Sequence, residues 1–142
     1  MIYLDYSATT KTSDEVLDTF IKCSKEFIGN PNSLHGLGVK SRNIIETATK
    51  QISNLLNVKE NEIIYTSGAS ESNNLAIKGI CDRYKNRGKH IITTKLEHSS
   101  IDGPINYLKE NGYEIDYVRL NDDGTVDLYD LDKLIRMWKR NK

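Results

Sequence analysis

Several patterns are scarce or missing in this 142-residue chain, and each scarcity excludes a class of protein. The two cysteines, Cys23 and Cys81, share neither a CxxC motif nor a metal-ligand spacing, which excludes a disulfide scaffold and a zinc module. Apolar runs extend over only a few residues, so no transmembrane span is predicted. The first residues contain no basic region leading into an apolar stretch, so we expect no secretory signal peptide.

An excess of charge of either sign is also missing. Lys plus Arg and Asp plus Glu both total 20, so the net charge is zero. Nothing in this balance favours nucleic acid or an acidic membrane as a partner, and we expect neither. Charged residues (28%) and hydrophobic residues (37%) fit an ordinary globular protein of about one domain, for which we expect a cytoplasmic location.

Helical and strand-like patterns fill most of the chain. Helices are predicted over 13–28, where Thr12 and Glu15 form a capping-box pattern, and over 39–56. Three strands then alternate with three helices: strands at 62–66, 90–94 and 113–119, and helices at 71–87, 99–111 and 128–140. Successive βα units predict an α/β fold with a mostly parallel sheet, flanking helices and a βαβαβα core after an N-terminal helical segment.

The segment Thr-Ser-Gly-Ala-Ser, 66–70, lies between a predicted strand and a predicted helix. A helix N-terminus offers free N–H groups and a positive dipole end, which suit a phosphate. Gly68 would let the backbone approach closely, and Ser67 and Ser70 would add hydroxyl donors. The pattern matches neither a Walker loop nor a dinucleotide fingerprint. The residues alone fit a phosphate site and a well-capped loop without ligand equally well.

Two further segments are rich in polar groups. His98 follows the predicted strand 90–94, which places it on the same rim of a parallel sheet as Ser70. The residues alone favour a plain helix-start histidine over a functional one. The segment "GNPNSLHGLG", 29–38, is typical of a turn-rich connector. His90 is interpreted as structural, "NDDG" (121–124) as a simple turn, and no metal-ligand cluster is expected.

Four segments in register resemble the N-terminal part of cysteine desulfurases, which belong to the class V aminotransferase group of fold-type-I enzymes that use pyridoxal 5′-phosphate. They are "IYLDYSATT" (2–10), "GNPNSLHGLG" (29–38), "TSGASESNNLAIKG" (66–79) and "HIITTKLEHSSI" (90–101). Asn32 stands where serine is usual in the family, and Ser70 where threonine is usual. The second difference keeps the hydroxyl group.

The resemblance implies roles for particular residues. Gly68, Ala69 and Ser70 would bind the cofactor phosphate, and His98 would stack on the pyridine ring and shuttle protons. Five further residues would border the active site: Ala8, Thr9, Asn30, Ser33 and His35. Residues 1–12 would join the small domain, and 13–142 would form the first part of the large, cofactor-binding domain.

The resemblance also implies a reaction and partners. The complete enzyme would remove sulfur from L-cysteine, giving alanine and an enzyme persulfide for iron–sulfur cluster or thio-cofactor assembly. It would be a homodimer that passes sulfur to an acceptor such as an iron–sulfur scaffold protein. Selenocysteine lyase, or another enzyme of the class V group, is the alternative within the same resemblance.

The family's Schiff-base lysine and catalytic cysteine motifs are not found in these 142 residues. Cys23 and Cys81 match no catalytic position and lie on apolar faces of predicted helices, so they are interpreted as packing residues. We therefore expect a fragment of the enzyme that is inactive alone. The alternative from another class is a non-catalytic interaction module.

Overall fold

The computed structural model describes residues 2–140 and contains two compact units, whose described parts are 2–64 and 65–140. The first unit is helical, and the second is an α/β unit with a parallel sheet. The predicted fold class is thereby confirmed. No helix within residues 2–140 is both long and apolar enough to cross a membrane.

Helix α1 (Asp14–Glu26) opens the first unit. Its N-cap is Ser13, whose hydroxyl accepts a hydrogen bond from the Val16 amide at 3.4 Å. The predicted cap, Thr12, is therefore wrong by one residue, because it is the Ser13 hydroxyl that reaches the third amide of the helix. No residue of α1 is buried, and large apolar side chains of the helix remain exposed: Val16, Leu17, Phe20 and Ile21.

Helix α2 (Gly36–Leu56) begins three residues earlier than predicted. His35 caps it, since its Nδ1 accepts a hydrogen bond from the Gly38 amide at 3.3 Å. The helix ends at Leu56 and is capped by Asn57, which adopts the left-handed conformation (φ +53°) and donates its N–H to helix carbonyls. A 3₁₀ turn follows at Glu60–Glu62.

The second unit contains three helices and two strands among its described residues. In chain order they are α3 (Ala69–Tyr84), β1 (His90–Thr93), α4 (Ser99–Glu110), β2 (Glu114–Tyr117) and α5 (Leu128–Arg140). The strands pair in parallel, with His90 opposite Glu114 and Thr93 opposite Tyr117. Helix α4 makes the crossover between the strands and packs against α3. Its inner face supplies most of the core of this unit, with buried side chains Pro104, Ile105 and Leu108, joined by Tyr113 and Val118.

The strand predicted over 62–66 is wrong. Glu62 ends the 3₁₀ turn, and residues 63–66 are irregular, although Ile63 has an extended backbone (φ −90°, ψ 123°). An extended segment becomes a strand only when a neighbour completes its hydrogen-bond ladder. Within residues 2–140 no such neighbour pairs with this segment, so the βαβαβα core predicted from the sequence lacks its first strand.

Side chains at the start of α5 fix the end of β2. The Asp127 carboxylate caps the helix by accepting hydrogen bonds from the amides of Tyr129 (2.9 Å) and Asp130 (3.0 Å). The Asp130 carboxylate accepts a hydrogen bond from the Arg119 backbone amide at 2.9 Å, and Arg119 Nε lies 3.3 Å from its other oxygen. Asp130 is only 8% exposed, so its charge is compensated by these donors rather than by water.

Candidate functional site

The N-terminus of α3 is open. Gly68 is its N-cap, and no side chain caps this helix end. The first helical hydrogen bond runs from the Ser72 amide to the Gly68 carbonyl (3.1 Å), so the amides of Ala69, Ser70 and Glu71 have no partner within the helix. A Cβ atom added at Gly68 would meet nothing within 4 Å. Free amides, a positive dipole end and open space together suit an anion.

Hydrogen bonds hold the turn before α3. Glu71 Oε2 accepts from the Ser67 amide (2.6 Å) and from the Ser67 hydroxyl (2.7 Å). These bonds stabilise the ionised carboxylate, and so they lower the pKa of Glu71 from its ordinary value of 4.5. On the other side of the turn, the hydroxyls of Thr66 and Ser72 lie 2.6 Å apart. Because Glu71 already engages both Ser67 donors, an anion here would bind through the amides of Ala69 and Ser70 and the Ser70 hydroxyl.

His98 is the N-cap of α4. Its Nδ1 accepts a hydrogen bond from the Ser100 amide at 3.2 Å, which satisfies one of the free amides of the first turn. The residue as a whole is exposed. Its Nε2 has no hydrogen-bond partner among residues 2–140, so this edge of the ring is available to a ligand. The helix-start position predicted for His98 is confirmed.

A side-chain relay joins α3 to α4. Asn73 Nδ2 donates to Ser100 Oγ at 2.9 Å, and Ser100 Oγ lies 2.9 Å from His98 Nδ1. The bond between Asn73 and Ser100 brings the beginnings of the two helices side by side, so Ser70 and His98 lie at the same end of this unit. The sequence did not predict the relay, because Asn73 and Ser100 are 27 residues apart.

The polar loop 29–35 is held by bonds within the first unit. Asn30 Oδ1 accepts from the Asn32 amide at 2.8 Å, and the Asn30 carbonyl accepts from the Ser33 amide at 2.9 Å. His35 caps α2, as described above. A Cβ atom at Gly38 would lie 2.6 Å from the Asn30 carbonyl oxygen and would also clash with the carbonyl of Ser33. The loop therefore folds tightly over the first turn of α2.

The opening segment also forms a local turn. The amides of Ala8 and Thr9 donate to the Asp5 carbonyl at 3.1 and 3.3 Å, and the Tyr3 hydroxyl donates to the Thr9 carbonyl at 3.1 Å. This turn and the loop 29–35 both belong to the first unit, whereas Ser70 and His98 belong to the second. The role of both segments as borders of an active site stays a prediction.

His90 lies at the opposite end of β1 from the segment that leads to His98. Its Nε2 is 2.8 Å from Asp116 Oδ2, its side chain is 7% exposed, and its ring stacks on Trp138 at 5.8 Å between centroids. These contacts agree with its interpretation as a structural residue. Within residues 2–140 no three His, Cys, Asp or Glu side chains converge as a metal site would require.

Comparison with known proteins identifies relatives along nearly the whole chain. Residues 2–140 match the family described as Aminotransferase class-V. A protein named cysteine desulfurase IscS from Dictyoglomus turgidum is 44% identical over 135 residues, which cover 95% of this chain and 34% of that protein. The chain thus spans about a third of the length of that relative.

Solved structures resemble the chain in fold as well. One described as a NifS-like protein superimposes with a TM-score of 0.85 at 37% identity, covering 89% of this chain and 35% of the other. Another, described as SspA in complex with cysteine, gives a TM-score of 0.83 at 30% identity, covering 92% of this chain and 38% of the other.

Proposed function

Since this chain belongs to the class-V aminotransferase family, we propose that it supplies the phosphate-binding and ring-stacking side of a cysteine desulfurase active site. The resemblance predicted from the four sequence segments is confirmed by relatives that are themselves named cysteine desulfurases. The reaction proposed for the full-length protein is removal of sulfur from L-cysteine, giving alanine and an enzyme persulfide. The persulfide would serve iron–sulfur cluster or thio-cofactor assembly.

The open N-terminus of α3 beside His98 is the observation on which this proposal rests. Class-V aminotransferases and cysteine desulfurases use pyridoxal 5′-phosphate, and the residues present fit that group. The free amides of Ala69 and Ser70, with the Ser70 hydroxyl, would hold its phosphate. The exposed face of His98 would lie against its ring. When bound, the cofactor supplies an electron sink for negative charge that develops on the substrate.

The two cysteines of this chain are unsuited to take the sulfur. Burial raises the pKa of the Cys81 thiol, which lowers the fraction of reactive thiolate. Cys23 lies on α1, in the first unit, and neither thiol forms a disulfide. The nucleophile that receives sulfur, and the lysine that binds the cofactor covalently, would come from residues outside this chain.

The proposed partners follow from the same reaction. L-cysteine is the proposed substrate, and the neighbour described as SspA in complex with cysteine supports this choice. An acceptor protein such as an iron–sulfur scaffold would take the persulfide sulfur, and the full-length protein would form a homodimer. Two thiols without a disulfide fit a reducing compartment, so a cytoplasmic location is proposed.

The proposal is tested by binding and by turnover. In the full-length protein, Ser70→Ala is expected to weaken pyridoxal 5′-phosphate binding by about tenfold or more, the effect of one hydrogen bond to a charged group. Ser70→Thr keeps the hydroxyl and should bind nearly as the parent does. Ser24→Ala, at an exposed serine of α1 outside all the candidate site segments, serves as the matched control. Binding is measured by equilibrium dialysis, and alanine and sulfide released from L-cysteine are measured with a reductant present.

Two outcomes would contradict the proposal. A full-length protein that binds the cofactor but releases no alanine from L-cysteine would refute the reaction. Equal cofactor affinity in Ser70→Ala and the parent would refute the assignment of the phosphate to the start of α3.

A further inference from the structure

We infer that Ser100, oriented by Asn73, is a positioning residue that holds His98 in the tautomer whose ring proton is on Nε2. The hydrogen bonds of the relay support this inference by themselves. Its meaning for catalysis rests on the function proposed above. Neither Asn73 nor Ser100 is expected to touch the cofactor or the substrate, since both act through His98.

The proton positions follow from the donors available. The Ser100 backbone amide can only donate, so His98 Nδ1 must accept at 3.2 Å and cannot have its own hydrogen on that side. The contact of 2.9 Å between Ser100 Oγ and Nδ1 therefore requires the hydroxyl to donate as well. A hydroxyl has a single hydrogen, so Asn73 must approach Ser100 Oγ as the donor, through Nδ2. Only this placement of the hydrogens gives His98 Nδ1, the Ser100 hydroxyl and Asn73 Nδ2 each a hydrogen-bond partner.

Burial of Ser100 protects its hydrogen bond to His98 from competition by water. Ser100 is 8% exposed, so water competes poorly for its hydroxyl, whereas His98 itself is exposed. With two donors directed at Nδ1, the neutral ring has its proton on Nε2, the nitrogen that has no hydrogen-bond partner among residues 2–140. His98 is thus prepared as a hydrogen-bond donor at Nε2, and its ring is fixed on one side by two bonds.

His35 offers a comparison within the same chain. It is also a helix N-cap, and its Nδ1 also accepts from a backbone amide, that of Gly38, at 3.3 Å. Among residues 2–140, no hydroxyl adds a second donor to that nitrogen. If the helix cap alone fixed the tautomer, His35 and His98 would behave alike, and removing the Ser100 hydroxyl would change neither.

The test is nitrogen-15 NMR of histidine-labelled protein, in which long-range correlations report which ring nitrogen has the proton. The chain has three histidines, and His98→Gln assigns the His98 signals. Ser100→Ala should shift the tautomer ratio of His98 by about fivefold towards the Nδ1–H form, the effect of one ordinary hydrogen bond, and leave His35 unchanged. Ser100→Thr, which keeps a hydroxyl, should restore the parent ratio.

Asn73→Asp provides a second, independent variant. A carboxylate at this position accepts the Ser100 hydroxyl hydrogen and draws it away from Nδ1, so this variant should shift His98 in the same direction as Ser100→Ala. An unchanged tautomer ratio of His98 in both Ser100→Ala and Asn73→Asp would overturn the inference, as would an Nδ1–H tautomer in the parent. The measurement needs no cofactor and no turnover. A failure here is therefore distinct from a failure of the proposed desulfurase activity.

Discussion

Replacing Gly38 by alanine tests how tightly the loop 29–35 packs on the first turn of α2. The added Cβ atom would lie 2.6 Å from the Asn30 carbonyl oxygen and 2.8 Å from the Ser33 Cβ atom. Gly36, two residues earlier in the same helix, is the matched control, because a Cβ atom there would meet nothing within 4 Å. Neither glycine has a left-handed backbone, so the comparison isolates packing.

The expected loss of stability in Gly38→Ala follows from the overlap between the added Cβ atom and the loop. Ordinary van der Waals contact begins near 3.4 Å, so the loop carbonyl of Asn30 would have to move by about 0.8 Å. Overpacking of this kind costs about 1–3 kcal/mol. Replacing glycine by alanine in a helix contributes a gain of up to about 1 kcal/mol, and this gain applies to both variants. Gly38→Ala should therefore be less stable than Gly36→Ala by about 1–3 kcal/mol.

Hydrogen exchange of the α2 amides is the appropriate assay, because it reports the local free energy of opening. Urea unfolding followed by circular dichroism gives the global value beside it. We expect faster exchange throughout the first turns of α2 in Gly38→Ala, and exchange equal to or slower than the parent in Gly36→Ala. Opening free energies that agree within about 0.5 kcal/mol in the two variants would refute the close packing of the loop on the helix.

Three further predictions concern single contacts. Asp130→Ala leaves the Arg119 amide without its acceptor and should lower the free energy of unfolding, measured in urea, by about 2 kcal/mol. Asp130→Asn keeps an acceptor oxygen and should lower it by less, so equal losses in the two variants would contradict this prediction. Ser13→Ala should reduce the helicity seen by circular dichroism and lower the stability of α1 by about 1 kcal/mol, whereas Thr12→Ala should change both by almost nothing. A larger effect of Thr12→Ala would instead support the cap predicted from the sequence. The pKa of Glu71 is lowered, so the stability that its carboxylate contributes is present above the ordinary value of 4.5 and is lost as the pH falls below it. The difference in unfolding free energy between the parent and Glu71→Gln should therefore shrink between pH 7 and pH 3. A difference independent of pH would count against the hydrogen bonds from Ser67 to Glu71.

Much of the α/β unit could be predicted from the sequence because its signals are local. Apolar periodicity and a glycine at the end of each helix located α3 and α4 to within three residues. The helix predicted over 128–140 has the bounds observed for α5. The segment 62–66 has an equally strong strand composition, but a strand also needs a neighbour, and pairing over distance leaves no local signal.

In the candidate site, too, some features have a local sequence signal and others depend on tertiary packing. The local pattern placed Gly68, Ser70 and His98 at the starts of helices, whereas their roles at a cofactor were implied only by the family resemblance. The contact between Asn73 and Ser100 could not be predicted, because it arises only when α3 and α4 pack together. Side-chain relays between helices are properties of tertiary structure, so they appear only once the packing is known.

The parallel pairing of β1 with β2 also has a consequence for how the second unit folds. Each register pair, from His90–Glu114 to Thr93–Tyr117, is separated by 24 positions along the chain. The entropy of closing a loop grows only slowly with its length, and α4, which fills most of this one, forms within about a microsecond. The two strands, their crossover helix and the bond from the Val118 amide to the Thr93 carbonyl all lie within residues 90–118, so the pairing needs only this short stretch of chain. Helix α5 comes after this βαβ unit along the chain, and the hydrogen bond from the Arg119 amide to Asp130 ties it to the segment that follows β2.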